Sequence, residues 1–175
     1  MALAAVVLAA GASTRFGSPK QRLLLPLVLE RVRASPVEEI VVVLGAHDVE
    51  TEARVIRCPG WERGPGASLR CGLAALGPNV DAAVVVLGDG PSLAPAAVER
   101  VAAAWRESGT PVVAASYEGS RGHPLLLARA AWNDIPDEGL RRRDVLLVPC
   151  DDLGHPGDVD RPGDLPVPRS PRLPG

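Results

Sequence analysis

The chain has a single lysine, Lys20, which closes a glycine-containing segment near the start of the sequence. The other 18 of its 19 basic residues are arginine, so an ammonium group occurs at one position only. A compact ammonium on a flexible stem suits a shifting phosphate oxygen better than a planar guanidinium does. Gly11 lets the backbone approach a ligand closely, and Ser13 adds a hydroxyl. The segment predicts a phosphate-binding loop charged by Arg15 and Lys20, two residues that an ordinary turn would leave unexplained.

This loop matches neither of the two common phosphate-binding motifs. The G-x-G-x-x-G fingerprint of dinucleotide-binding domains is absent, and no Ser or Thr follows Lys20 as a Walker loop requires. A nicotinamide-dependent oxidoreductase is therefore disfavoured, and we expect a third kind of phosphate loop.

Asp89 is the most distinctive carboxylate, because it lies between Gly88 and Gly90 directly after an apolar run. Mg²⁺ takes one or two protein carboxylates and completes its shell with water and phosphate oxygens. Asp89 is therefore a candidate magnesium ligand, although Asp-Gly and Gly-Pro pairs are also common in turns. Asp160, close to the end of the chain, could supply a second carboxylate or belong to a solvated acidic loop.

Two further positions are candidates for ligand binding. His123, between Gly122 and Pro124, is compatible with contact to a base or ribose and equally with a rigid surface turn. Ser68 leads into a helical pattern whose free N–H groups could meet an anion, and it could instead simply cap that helix. No Ser-His-Asp or Cys-His set is evident.

The elements that must position these residues alternate between strand and helix. Continuous apolar runs, typical of strands buried on both faces in a parallel sheet, span 3–9, 40–44, 82–87 and 111–115, with a further strand at 145–148. Helical spacing of apolar residues occurs at Leu69, Leu73 and Leu76, and again at Val98, Val101, Ala102 and Trp105. A hairpin is expected after Tyr117. This pattern predicts one α/β layered domain, 1–168, with a flexible tail at 169–175.

Composition excludes several classes of function. A formal charge of -2 and 3% aromatic residues leave neither a basic field nor stacking platforms for nucleic acid. The apolar opening stretch is too short to span a membrane. The three cysteines, Cys58, Cys71 and Cys150, are odd in number and widely spaced, which predicts neither a zinc site nor a disulfide framework and favours a cytoplasmic location.

The segment Leu8-Ala9-Ala10-Gly11-Ala12-Ser13-Thr14-Arg15-Phe16-Gly17-Ser18-Pro19-Lys20 resembles the signature of MobA-like nucleotidyltransferases, above all the molybdenum-cofactor cytidylyltransferase branch. Further motifs follow in the family's order. They are Ser68-Leu69-Arg70, Leu87-Gly88-Asp89-Gly90-Pro91, Arg121-Gly122-His123-Pro124 and Asp158-Val159-Asp160. The acidic-Gly-Ala-Arg element of that branch is reduced here to Asp137-Glu138-Gly139-Leu140-Arg141.

The resemblance implies a three-layer sandwich with a mostly parallel twisted sheet, similar to nucleotide-diphospho-sugar transferases and Rossmann-like in its layering. It implies an Mg²⁺-dependent transfer of a nucleoside monophosphate, with CTP the favoured donor, to a phosphorylated small-molecule acceptor such as molybdopterin, with release of pyrophosphate. Arg15, Lys20 and Asp89 would be catalytic, and Asp89 and Asp160 would hold the metal. The nucleotide would lie along Ala9, Ala10, Gly11, Ala12, Ser13, Ser68 and His123. The alternative is a catalytically degenerate nucleotide-binding or partner-binding module of the same fold.

Overall fold

The computed structural model describes residues 1–11, 21–140 and 144–157, and for Gln21 the backbone alone. The seven strands are β1 (Ala2–Ala9), β2 (Glu39–Leu44), β3 (Arg54–Arg57), β4 (Val80–Leu87), β5 (Val112–Tyr117), β6 (Ser120–Ala128) and β7 (Leu146–Pro149). The three α-helices are α1 (Gln21–Arg33), α2 (Pro65–Ala74) and α3 (Pro95–Ser108). Within these ranges no helix is long and apolar enough to cross a membrane.

The strands form one sheet in the order β3-β2-β1-β4-β6-β5-β7. All neighbouring pairs are parallel except the two that involve β6, which runs antiparallel to both β4 and β5. Glu118 and Gly119, both with positive φ, make the tight turn between β5 and β6. The prediction of a mostly parallel sheet with a hairpin after Tyr117 is confirmed.

Helices cover both faces of the sheet, because the central strands are apolar on both faces. The buried side chains of α1 and α3 pack with Leu3, Ala5 and Val7 on one face of β1. Those of α2 pack with Ala4 and Val6 on the other face. The predicted three-layer α/β sandwich is thereby confirmed, with both helical apolar stripes facing the sheet.

The sequence pattern missed two features of the sheet. Strand β3 is a short edge strand with arginine at both ends and mostly exposed side chains, so it lacks the continuous apolar run of the buried strands. Strand β6 is nine residues long, but its first half, from Ser120 to His123, is only partly buried or exposed. Because only its second half is buried, the sequence pattern predicts β6 only as part of a hairpin.

The prediction that no disulfide forms is wrong. Cys58, which follows β3, is bonded to Cys71 on α2, with their Cα atoms 5.9 Å apart and a sequence separation of 13. Strand β3 is parallel to β2, and α2 packs over β2 and β3, so Cys58 at the end of β3 lies next to Cys71. Spacing alone could not show this, because it contains no information on how α2 lies across the sheet.

Close packing of α2 on the sheet depends on Gly72. A Cβ atom added there would lie 2.5 Å from Val6 Cγ1 and 2.8 Å from Val43 Cγ2, inside van der Waals contact with both strands. These valines are fully buried, and in a close-packed core they can move only by displacing other side chains. The absence of a side chain thus sets how closely α2 approaches β1 and β2.

We expect Gly72→Ala to lower the free energy of unfolding by about 1–3 kcal/mol, because overpacking outweighs the better helix propensity of alanine. Gly77→Ala is the matched control, since its added Cβ would meet only Glu39 Oε2 at 3.5 Å. Urea denaturation of both variants measures the difference. Equal stability of Gly72→Ala and wild type would contradict the packing described here.

We expect reduction of the Cys58–Cys71 bond to lower the free energy of unfolding by about 3 kcal/mol, since a crosslink over a loop of this length restricts the unfolded chain by roughly that amount. Thermal unfolding with and without a phosphine reductant measures the loss. Alkylation of the unreduced, denatured protein should modify only Cys150, which is the free cysteine. Modification of all three cysteines would show that the bond does not form.

Candidate functional site

Three chain segments meet where the central strands β1 and β4 end and β6 begins, and this end of the strands is the ligand-binding edge of the sheet. Strands β1 and β4 are parallel neighbours and end there, with Leu8 paired to Leu87, whereas β6 begins there because it is antiparallel. The backbone N–H of Gly88 donates to the Leu8 carbonyl over 2.8 Å. A Cβ on Gly88 would lie 2.9 Å from Ala9 Cβ, so glycine lets the turn that carries Asp89 lie against the end of β1.

Of the predicted site residues, the structure brings Ala9, Ala10, Gly11, Asp89 and His123 to this edge. Ala9 and Ala10 are buried, and Asp89 is partly exposed. Ala12, Ser13, Arg15, Lys20 and Asp160 lie outside the described residues. Ala9 to Gly11 lead directly into the predicted phosphate loop, so that loop starts beside the Asp89 turn.

Ser68 has a different place from the one expected. Helix α2 begins at Pro65 with Gly64 as its N-cap, and Ser68 lies within the helix as a buried residue. Ser68 is therefore not a helix cap. Its neighbours Pro65 and Leu69 line the cleft described next.

The cleft at this edge has two chambers. The larger, of about 460 Å³, lies on the α2 face and is lined by apolar side chains that include Leu8, Leu69 and Leu125, with Glu138 among its exposed lining residues. The smaller, of about 190 Å³, lies between the start of β6 and the segment His155–Gly157. Both chambers are lined by Leu87, Arg121, Gly122 and His123. The first residues of β6 therefore separate them.

Residues 138–140 form one wall of the larger chamber, and an ion-pair cluster at Asp137 fixes this segment to α2. Asp137 accepts hydrogen bonds from Arg63 Nε and Nη2, both over 3.2 Å, and from Arg70 Nη2. The Gly66 N–H donates to the Asp137 carbonyl over 2.9 Å. The hydrogen bond from Arg70, followed by those from Arg63, lowers the pKa of Asp137. Asp137 thus stabilises the wall through its ion pairs with Arg63 and Arg70.

Arg121 is partly buried between the two chambers. Its Nη1 donates to the Leu140 carbonyl over 2.7 Å, which ties β6 to the same wall. Burial lowers the pKa of its guanidinium, and this is the one cause of the shift. Among the described residues, no Asp or Glu forms an ion pair with Arg121. Sequence reasoning recorded Arg121 within the Arg-Gly-His-Pro motif but did not assign it to the site.

His123 is enclosed and therefore uncharged at neutral pH. Burial, followed by the positive charge of Arg121, lowers its pKa to about 4, against the opposing effect of Asp89 and with a smaller lowering by His155. The Tyr117 hydroxyl donates to the His123 carbonyl over 3.0 Å and holds the backbone in place. His123 lines both chambers. Its contact with a base or ribose stays a prediction.

The segment after β7 closes the smaller chamber. The Cys150 N–H donates to the Ser116 carbonyl over 2.9 Å, and the Ser92 N–H donates to the Pro156 carbonyl over 3.1 Å. The ring of His155 packs edge-on against Tyr117, with 4.8 Å between ring centroids. Sequence reasoning missed His155, because only the fold of this segment across β5 brings it near His123.

The described residues contain no metal site built from three or more protein ligands. No group of three or more His, Cys, Asp and Glu within 1–11, 21–140 and 144–157 is arranged to hold a metal. A single partly exposed Asp89 nevertheless fits Mg²⁺, which takes most of its ligands from water and phosphate. The other predicted ligand, Asp160, lies beyond the described residues.

We expect the unliganded protein to lose stability as pH falls from about 6.5 toward 4, because the unfolded chain protonates His123 before the folded protein does. The loss should be roughly 1–2 kcal/mol by pH 5, since each unit is worth about 1.4 kcal/mol and His123 keeps part of its surface open to the cleft. Denaturant titrations at pH 7.5 and 5 measure it. His123→Gln should show a smaller loss, and an identical loss would contradict a depressed pKa.

Comparison with known proteins identifies the family to which this fold and cleft belong. The model of the family described as MobA-like NTP transferase domain matches residues 5–147. The search of curated proteins finds no match.

Solved structures share the fold over nearly the whole chain. A homologue of Rv0371c from Mycobacterium sp. strain JC1 is 28% identical, with 93% of this chain and 92% of that chain covered and a TM-score of 0.76. Rv0371c from Mycobacterium tuberculosis H37Rv is also 28% identical, with 94% and 96% covered and a TM-score of 0.74. The same protein in complex with manganese aligns at 24% identity, with 86% and 89% covered and a TM-score of 0.67.

A nucleotidyl transferase from Methanothermobacter thermautotroptrophicus, Mth528, has the same fold at 21% identity, with 93% and 94% covered and a TM-score of 0.71. The family match spans most of the chain, and the three-layer α/β sandwich agrees with it. The chain therefore belongs to the family of MobA-like NTP transferase domains and is a nucleotidyltransferase.

Proposed function

We propose that the protein transfers a nucleoside monophosphate, CMP from CTP, to a phosphorylated small-molecule acceptor in a Mg²⁺-dependent reaction that releases pyrophosphate. The observation that carries the proposal is the junction of β1 and β4. There the start of the predicted phosphate loop and Asp89 lie at one end of a two-chambered cleft.

In this proposal the triphosphate lies along the first loop, with the backbone of residues 9–13 around it. Arg15 and Lys20 would neutralise its phosphates. Asp89, with Asp160, would hold Mg²⁺, which would supply Lewis-acid stabilisation of the charge that develops on the phosphates. The manganese complex of Rv0371c supports a divalent cation in this family.

The larger chamber is the proposed nucleoside site. It is mostly apolar, lies beside the end of β1, and is bounded by α2 through Leu69. His123 would donate or accept a hydrogen bond there as a neutral imidazole, because its pKa of about 4 leaves it uncharged at neutral pH. Ser68 would contribute to nucleotide binding from within α2, next to the lining residue Leu69.

The chemistry needs no strong base. A phosphate oxygen of the acceptor attacks the α-phosphorus and forms a new P–O bond. The bond between the α-phosphorus and its bridging oxygen breaks, and pyrophosphate leaves with the electron pair. A phosphate monoester is already ionised near neutral pH, so the protein has to align two anions and offset their charge.

Molybdopterin is the proposed acceptor on the strength of the sequence resemblance. A cytoplasmic location agrees with these substrates, although the cysteines give no support to it now that Cys58 and Cys71 are seen to be bonded. We keep residues 1–168 as the proposed catalytic domain and 169–175 as the proposed tail.

One observation favours a degenerate, non-catalytic module instead. Asp137, in the shortened acidic element, is bound by Arg63 and Arg70 and so does not reach toward an acceptor. A non-catalytic module would bind the triphosphate without turnover. The two functions therefore make opposite predictions about pyrophosphate release.

We expect wild-type protein with Mg²⁺ and CTP to release pyrophosphate when molybdopterin, or another phosphorylated acceptor from a panel, is added. The release should be greater with CTP than with GTP, ATP or UTP. Chelation of the metal should abolish release, and Mn²⁺ should restore it. A coupled pyrophosphate assay measures each arm. Triphosphate binding without release for any pair would favour the non-catalytic module.

We expect Asp89→Asn to reduce turnover about a hundredfold, the usual order of effect when one charge-stabilising contact is lost. Asp81→Asn is the matched control, because Asp81 lies at the opposite end of the same strand, where it accepts a hydrogen bond from the Ala2 N–H. Turnover of the control should stay within twofold of wild type. Equal activity of the two variants would remove Asp89 from the metal site.

A further inference from the structure

Three neighbouring strands present three groups in a row at the edge of the sheet. The order β1-β4-β6 places the start of the phosphate loop first, Asp89 second and Arg121 third. Adjacent strands are about 4.8 Å apart, so the ends of β1 and β6 are separated by about 10 Å. The proposed metal therefore lies between the triphosphate and Arg121. A nucleophile that attacks opposite the leaving group would arrive from the Arg121 side.

Arg121 is a cation without an anion in the part of the chain described. It is partly buried, burial lowers its pKa, and its hydrogen bond goes to a carbonyl rather than to a carboxylate. Buried charges in proteins are normally paired, and an unpaired guanidinium in a cleft is suited to bind a carboxylate or phosphate from outside. One of its two Nη atoms holds Leu140, which leaves other N–H groups of the fork for a ligand.

The smaller chamber is the side of Arg121 that suits a phosphate. Among the described residues, no acidic side chain lines it, whereas Glu138 lines the larger chamber. His155 supplies a second donor, because its Nδ1 accepts a hydrogen bond from the Gly157 N–H over 2.9 Å. With Nδ1 as an acceptor, Nε2 is the ring nitrogen left to donate. The chamber adjoins the Asp89 turn, since a Cβ on Gly90 would lie 3.1 Å from the Gly157 carbonyl oxygen.

We propose that the smaller chamber binds the phosphate monoester of the acceptor, with Arg121 as its charged ligand and His155 as a second donor. This assignment rests on the proposed transferase function and names the site of its second substrate. The same chemistry could serve the terminal phosphates of the triphosphate, and the experiment separates these two sources.

The test is calorimetric titration of wild-type protein with inorganic phosphate, with and without saturating Mg²⁺ and α,β-methylene CTP. Phosphate should still bind when the analogue is present. Arg121→Gln should weaken phosphate binding about tenfold or more, the expected loss for a charge-assisted contact. The analogue should lose less affinity than phosphate does, because most of its proposed contacts lie along the first loop and the rest of the larger chamber. His155→Leu should weaken phosphate less than Arg121→Gln does, and Arg121→Lys should restore part of the affinity.

Arg129→Gln is the matched control. Arg129 is more exposed than Arg121 but likewise donates to backbone carbonyls, those of Val80 and Gly77. It lies at the opposite end of β4 and stacks on Trp132. Its phosphate affinity should stay within twofold of wild type. An equal loss in both variants would show a general effect of removing an arginine and would overturn the assignment.

Other outcomes also overturn it. Displacement of phosphate from wild type by the analogue would assign Arg121 to the triphosphate, and this result needs no variant to fold. Unchanged phosphate affinity in Arg121→Gln would remove Arg121 from the site. Failure of the transferase proposal looks different, because wild-type protein would then bind no analogue or release no pyrophosphate while the effect of Arg121 on phosphate persisted.

Discussion

The parallel pairing of β1 with β4 is the constraint on which the rest of the site depends. It aligns Leu8 with Leu87, and the hydrogen bond from Gly88 to the Leu8 carbonyl continues the pairing past the end of the strand. The turn that carries Asp89 and the start of the predicted phosphate loop therefore lie side by side. In open α/β sheets, ligands bind beyond the carboxyl ends of strands for this reason. A slip in register between these two strands would separate the proposed metal ligand from the phosphate loop.

The antiparallel strand β6 adds what a purely parallel sheet would lack. Because it runs the other way, its first residues, rather than its last, reach the ligand-binding edge. Arg121 and His123 stand at that start, and together they divide the cleft in two. The positive charge of Arg121 also helps to keep His123 neutral. The direction of β6 thus accounts both for the division of the cleft and for the position of Arg121 next to His123.

Arginine has two distinct roles around this cleft. Arg63 and Arg70 are used internally, since they pair with Asp137 and fix the wall of the larger chamber to α2. Arg121 holds the same wall through a carbonyl and keeps its charge available. A residue of one type thus builds the scaffold at some positions and faces the ligand at another. What distinguishes these positions is whether a carboxylate lies within reach, which depends on tertiary contacts.

The sequence alone determined the layered α/β class, the central strands, both apolar helical stripes, the Asp89 turn and the family signature, because periodicity and short motifs are local properties of a chain. It could not show the Cys58–Cys71 bond, the exposed edge strand β3, the interior position of Ser68 in α2 or the approach of His155 to Tyr117. Only the tertiary structure decided these, together with the isolation of Arg121 from any described carboxylate. These features depend on strand order, on where α2 begins and on how α2 and the last segment pack on the sheet.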